Sequence, residues 1–173
     1  MRDMLEVEKR FATTTTVGLL TAPWIFFWRG AKLELLLGNG DAFIQFLPTW
    51  TWAAAQWKAL TPPLWTPYLY AGFPLFADPT AIVFHPALLL FMLLPPVTAL
   101  NLTVLLSFAV AGVFTFVLAR QEGLSVEAAL LGGLTFAFSG FLLGHEGITP
   151  LLMTAASFPL VFCALRRLRR RPG

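Results

Sequence analysis

At 173 residues, 57% hydrophobic and 12% charged, with a mean hydropathy of +0.73, the chain has too few polar groups to cover a water-soluble globule, which leaves an integral membrane protein. Its formal charge of +3 does not make it a nucleic-acid binder, because five of its twelve basic residues crowd into the last eight positions, RRLRRRPG, where they act as a topology signal. Cys163, the sole cysteine, lies in an apolar run, so an intramolecular disulfide and a cysteine-built metal cluster are excluded.

The N-terminal MRDMLEVEKR mixes acids with bases. The FATTTTVGLLTAPWIFFW that follows outruns a signal-peptide core and lacks a small-x-small cleavage site, so it reads as an uncleaved anchor. A helix needs about 20 apolar residues to cross a bilayer core. Four segments meet that requirement, 11–28, 97–119, 128–144 and 147–165, each free of Asp, Glu, Lys, Arg and His. The expected fold is an all-α membrane domain over 1–173, with these spans and an outer loop at 29–96.

Within that loop Phe43, Phe46, Leu47, Trp50, Ala54 and Trp57 follow three-and-four spacing, while Asp41, Gln45, Thr49, Trp52 and Gln56 take the other face. Pro48 interrupts the ladder, which predicts one kinked helix or two short ones, the second starting with Pro in its first turn. Such a Trp-bearing amphipathic helix is expected to lie in the headgroup plane as a juxtamembrane shelf. Beyond it, prolines at 62, 63, 67, 74, 79 and 86 forbid a long helix or a central strand. Irregular backbone at a membrane face belongs where it is buried in protein or lines a wet cavity, so this stretch is expected to wall a cavity. The apolar run 87–94 is hemmed in by Pro86, Pro95 and Pro96 and is too short to span.

With that run left out, Arg2, Lys9, Arg10, Arg120, Arg166, Arg167, Arg169, Arg170 and Arg171 share one side and Arg29, Lys32 and Lys58 the other. This excess places both termini in the cytoplasm and the 29–96 loop, with His145 and Glu146, on the outer face. Segment 128–144 carries Gly132, Gly140 and Gly144 at multiples of four, beside a second small-residue stripe of Ala129, Gly133 and Ala137. Small stripes let helices approach closely in lipid.

Several polar residues carry two readings each. Asp41 is either the N-cap of the shelf helix or a catalytic or substrate-binding carboxylate at the membrane surface. His85, before Pro86, is a turn residue or a phosphate partner. His145 and Glu146 form an exposed turn or complete an outer-face site with Asp41. His-Glu alone has no metal-ligand spacing.

Asp41 with Gln45 and Pro48, then PLWTPYLYAGFPLFAD and FHP, then AVAGVFTFVLARQEGLSVEAALLGGLTFAFSGF, His145 and SFPLVFCALRR, together resemble the YfhO-like family of bacterial membrane proteins in the GT-C glycosyltransferase superfamily. The likeness runs over about residues 38–168, with Thr66 where that family usually carries Asn and His85 where an aromatic is common. It implies a multi-pass protein of the bacterial cytoplasmic membrane. It also implies transfer of a sugar from a polyprenyl-phosphate donor to a cell-envelope glycopolymer or lipid acceptor on the outer face.

Asp41 then becomes the general base for the acceptor hydroxyl, a role worth about 10² to 10⁴ in rate. Gln45, Trp65, Tyr68, His85, His145, Glu146, Arg29 and Lys32 become substrate-binding candidates. The leaving phosphate calls for positive charge or a divalent cation. Family members are several times longer, so the chain is expected to be the N-terminal part of such a protein and to lack part of a donor site on its own. Two other readings stand beside this one. A non-catalytic scaffold or truncated gene product fits the short length, and a transporter subunit fits broken helices but lacks any charged residue within a span.

Overall fold

Apolar runs bounded by proline, glycine and charge become helices here because only a helix satisfies every backbone group inside one segment in lipid. The computed structural model describes residues 2–28, 37–38 and 40–169, with side chains from residue 11 onward. Its helices are α1 (Arg2–Phe26), α2 (Leu47–Lys58), α3 (Leu88–Leu93), α4 (Pro96–Gln121), α5 (Val126–Ala137), α6 (Gly140–Gly144) and α7 (Thr149–Arg169). A π-helical turn, Ala42–Phe46, precedes α2, and two 3₁₀ turns, Leu75–Ala77 and Pro79–Ala81, punctuate the proline-rich loop. Among the described residues the only β-type pairing is an isolated bridge between Thr66 and Phe73.

Three stretches are long and apolar enough to cross a bilayer, Pro96–Gln121, Val126–Gly144 and Thr149–Arg169, and they mark the chain as a membrane protein. They match the expected spans 97–119, 128–144 and 147–165. Helix α1 has the length, at 25 residues, but four successive threonines and Pro23 dilute its apolar content, and it is not among the three.

The contact pattern divides the chain into two compact units. Unit 1 comprises 1–28, 105–145 and 151–173, and unit 2 comprises 29–104 and 146–150. In unit 1, Leu19 of α1, Phe116 of α4, and Val126 and Ala129 of α5 form a buried cluster. A Cβ on Gly133 would stand 2.7 Å from the carbonyl oxygen of Gly112, and one on Gly112 would meet the Ala137 methyl at 3.4 Å. The contact stripe is therefore Ala129, Gly133 and Ala137. Gly132, Gly140 and Gly144, the other stripe in the sequence, have no neighbour within 4 Å of an added Cβ. The expected continuous helix 128–144 is also broken: α5 stops at Ala137, and the Ser139 hydroxyl accepts the Leu142 N–H to start α6. A serine side chain that competes for backbone donors favours such a restart over continuation.

Unit 2 is built on α2. Pro48 enters at the start of α2, where its missing N–H is not needed, and the preceding turn widens to π geometry. The result is the pair of short helical pieces that the interrupted ladder predicts. Phe46, Trp50, Ala53 and Ala54 are buried, with Trp50 wholly enclosed and its ring edge-on to Phe91 of α3 at 5.5 Å. The face expected to rest on lipid is thus covered by α3 and the proline-rich loop. Phe43 leaves that face and is 64% exposed, because the π turn adds to the residues per turn and rotates everything before it out of register with α2. Helix α3, six residues long and so about 9 Å, confirms that the 87–94 run does not span.

Candidate functional site

The polar face of α2 and the proline-rich loop enclose a cleft of about 730 Å³ within unit 2. Gln45, Pro48, Thr49 and Trp52 supply the helical wall, spaced three and four apart along one face. Tyr68, Tyr70, Phe73 and Asp78 supply the loop wall, as the proline spacing predicts. Trp52 and Tyr68 meet edge to face in the cleft lining, with ring centroids 6.2 Å apart and planes at 77°.

Two Trp side chains hold the loop against α2. The Trp50 indole N–H donates to the Thr80 carbonyl at 2.8 Å and the Trp57 indole N–H to the Val83 carbonyl at 3.1 Å. Each indole thereby satisfies one irregular backbone acceptor of the loop. Thr80 donates both its N–H, at 2.8 Å, and its hydroxyl, at 2.7 Å, to Oδ1 of Asp78. Oδ2 of Asp78 has no partner among the described residues.

The loop tip is locally strained. Tyr70 and Ala71 sit at φ of 50° and 60°, and Gly72 follows at 131°. Two successive non-glycine residues in the left-handed region are unusual and are found preferentially at ligand clamps and other functional sites. Only glycine suits position 72, since a Cβ there would lie 2.7 Å from the Trp65 ring.

Of the residues singled out in the sequence, Gln45 and Tyr68 line the cleft. Asp41 is exposed, caps nothing with its side chain and is not among the residues lining the cleft; it stands just before the π turn that carries Gln45. Trp65 packs over Gly72 instead of facing the cleft. His85 Nδ1 accepts the Ala87 N–H at 3.1 Å, and partial burial pulls its pKa below the usual imidazole value.

His145 belongs to unit 1, where its Nδ1 lies 2.7 Å from the Phe141 carbonyl and its ring packs on Phe141. Glu146 belongs to unit 2, and partial burial pushes its carboxyl above the usual range. Arg29 and Lys32 lie outside the described residues. No three His, Cys, Asp or Glu side chains among the described residues stand close enough to share a metal ion.

Thr49, Trp52, Tyr70, Phe73 and Asp78 are among the cleft residues that the sequence reading did not single out as a site. Thr49 and Trp52 had a signal, their place with Gln45 on one helix face. Asp78 had only its position before Pro79, which marks a turn and says nothing of what the turn faces. In comparisons with known proteins the chain matches no family model, no curated relative and no solved structure.

Proposed function

We propose that the chain is part of a membrane glycosyltransferase that uses a polyprenyl-phosphate sugar and a cell-envelope glycopolymer or lipid acceptor, with the unit 2 cleft holding a sugar ring. The observation that carries this reading is the make-up of the cleft. It places one carboxylate with an open oxygen, one amide and two threonine hydroxyls, Thr49 and Thr66, among Trp52, Tyr68 and Tyr70. Aromatic faces suit the apolar side of a pyranose, and the polar atoms suit its hydroxyls. The volume falls in the range of small-molecule sites, about 300 to 1,000 Å³.

In this reading Asp41 takes the proton from the acceptor hydroxyl as that oxygen attacks the anomeric carbon. The bond from that carbon to the donor phosphate breaks, and the phosphate leaves with the electron pair. Asp78 orients sugar hydroxyls through Oδ2. None of the residues lining the cleft is cationic, so the phosphate falls to Arg29, Lys32 or Lys58. Helix α1 serves as a fourth span, which with the nine-to-three split of basic residues puts both termini in the cytoplasm.

Sugar transfer from a polyprenyl-phosphate donor tests this. Asp41→Asn should lower kcat by about 10² to 10⁴ with KM little changed, since an amide cannot take the proton. Asp78→Asn should raise KM instead. A wild-type kcat for Asp41→Asn removes it as the base, and unchanged kinetics in both variants removes the enzyme reading.

A further inference from the structure

A second cleft, about 480 Å³, opens in unit 1 where the end of α4 meets the end of α7, and nothing in the glycosyltransferase reading uses it. Its walls are of two kinds. Leu118 of α4 and Phe162 and Leu165 of α7 are apolar, with Phe162 55% and Leu165 50% exposed, and Glu122, Arg166 and Arg169 form a charged rim. Arg166 is ion-paired with Glu122, which fixes its guanidinium at the rim. Arg169 is exposed and has no ion-pair partner among the described residues.

Apolar walls on one side and, on the other, a rim of two guanidinium groups and one carboxylate that is net positive are complementary to a molecule with a hydrocarbon tail and a phosphate at one end. Guanidinium forks match phosphate oxygens, and basic pockets between membrane-spanning helices recognise acidic headgroups. A free phosphate would leave three apolar side chains unused. A zwitterionic lipid would bring a cation toward Arg169.

We propose that this cleft binds one anionic phospholipid, its phosphate against Arg169 and Arg166 and an acyl chain along Leu118, Phe162 and Leu165. The pair with Glu122 preorganises Arg166, so little side-chain freedom is lost on binding. Arg167, on the same helical turn but outside the cleft, adds only to the general positive field.

The test is thermal unfolding of the full chain in a neutral detergent, titrated with six-carbon phosphatidylglycerol, six-carbon phosphatidylcholine or inorganic phosphate. Phosphatidylglycerol should raise Tm saturably, and the other two should not. Arg169→Gln should weaken the apparent affinity about ten-fold, the loss of one charge-assisted hydrogen bond to the phosphate. Arg169→Lys should keep most of it. Arg167→Gln removes the same charge outside the cleft and should stay within about two-fold of wild type on the same scale.

Three results overturn the proposal. An equal response to phosphatidylcholine reduces the cleft to an apolar groove, and an equal response to inorganic phosphate makes it an ion site. Equal weakening by Arg167→Gln and Arg169→Gln makes the effect diffuse attraction by the tail.

Discussion

Trp50 and Asp78 are joined through one residue: the Trp50 indole N–H donates to the Thr80 carbonyl at 2.8 Å, and Thr80 donates its own N–H and hydroxyl to Asp78 Oδ1. The wholly buried ring in the core of unit 2 thus sets the position of the carboxylate in its cleft. Core stability and site geometry are coupled at this point.

Trp50→Phe keeps most of the buried ring but leaves the Thr80 carbonyl without its donor. A buried acceptor left unpaired costs about 1 to 3 kcal/mol. The expected result is a lower Tm in detergent together with weaker sugar binding, through the displaced Asp78. Trp57→Phe breaks the longer 3.1 Å bond to Val83, away from Asp78, and should lower Tm with binding unchanged. Tm loss without any loss of binding in Trp50→Phe would separate the core from the site.

Gly133 and Gly132 offer a paired test of which face of α5 packs. Gly133→Ala places a methyl 2.7 Å from the Gly112 carbonyl oxygen, a backbone atom that can yield only if the helices move apart. Overpacking of this kind costs about 1 to 3 kcal/mol. Gly132→Ala meets nothing and should be neutral or stabilise by up to about 1 kcal/mol through helix propensity. Thermal melts of the two variants in one detergent give the comparison, and equal effects would mean that the stripes are not distinguished.

Gly72→Ala should open the loop tip. The added methyl collides with the Trp65 ring, and φ of 131° is hostile to any side chain. The Thr66–Phe73 bridge lies across the same turn, so its amides should exchange faster with solvent deuterium in the variant. Unchanged exchange at both amides would show that the tip accommodates a Cβ.

His85 gives unit 2 a dependence on acid. Its folded pKa is lowered by burial from 6.5, so the unfolded state binds the proton first as pH falls. Stability is therefore full above about pH 6.5 and declines as pH drops below it toward the folded value. Burial of Glu146 acts in the opposite sense: its folded pKa is raised above 4.5, so its contribution is lost as pH rises through that region. His85→Asn keeps an acceptor for the Ala87 N–H before Pro86 and removes the titration. The difference in Tm between wild type and His85→Asn, measured across about pH 5 to 7.5, cancels the Glu146 effect. It should grow toward acid, and a flat difference would place His85 in water.

Orientation can be read by thiol labelling in a Cys163→Ala background. Lys58, Leu124 and Ile148 are exposed and outside the regular part of the candidate spans. Cysteines at 58 and 148 should react with a membrane-impermeant maleimide applied from outside, and one at 124 only after permeabilisation. Labelling at 124 alone would invert the assignment made from the basic residues.

The sequence by itself determined the features that depend on length and local chemistry. Helices at 96–121 and 149–169 follow from long apolar runs, the second continuing through Pro159, and the shortness of α3 from prolines on both sides. The start of α2 at Pro48 follows from a ring that only a first helical turn accepts. Tertiary structure decided what local chemistry leaves degenerate. Two small-residue stripes with the same four-residue period run along 128–144, and only the approach of Gly112 selects the one through Gly133. Asp41 and Asp78 are both acids beside turn-forming residues, and only the anchoring of Thr80 by Trp50, across 30 positions of chain, brings Asp78 into a cleft with Gln45 and Trp52. Spacing fixes which residues share a face; what covers that face is fixed by residues far away in the chain, whose approach leaves no periodic trace.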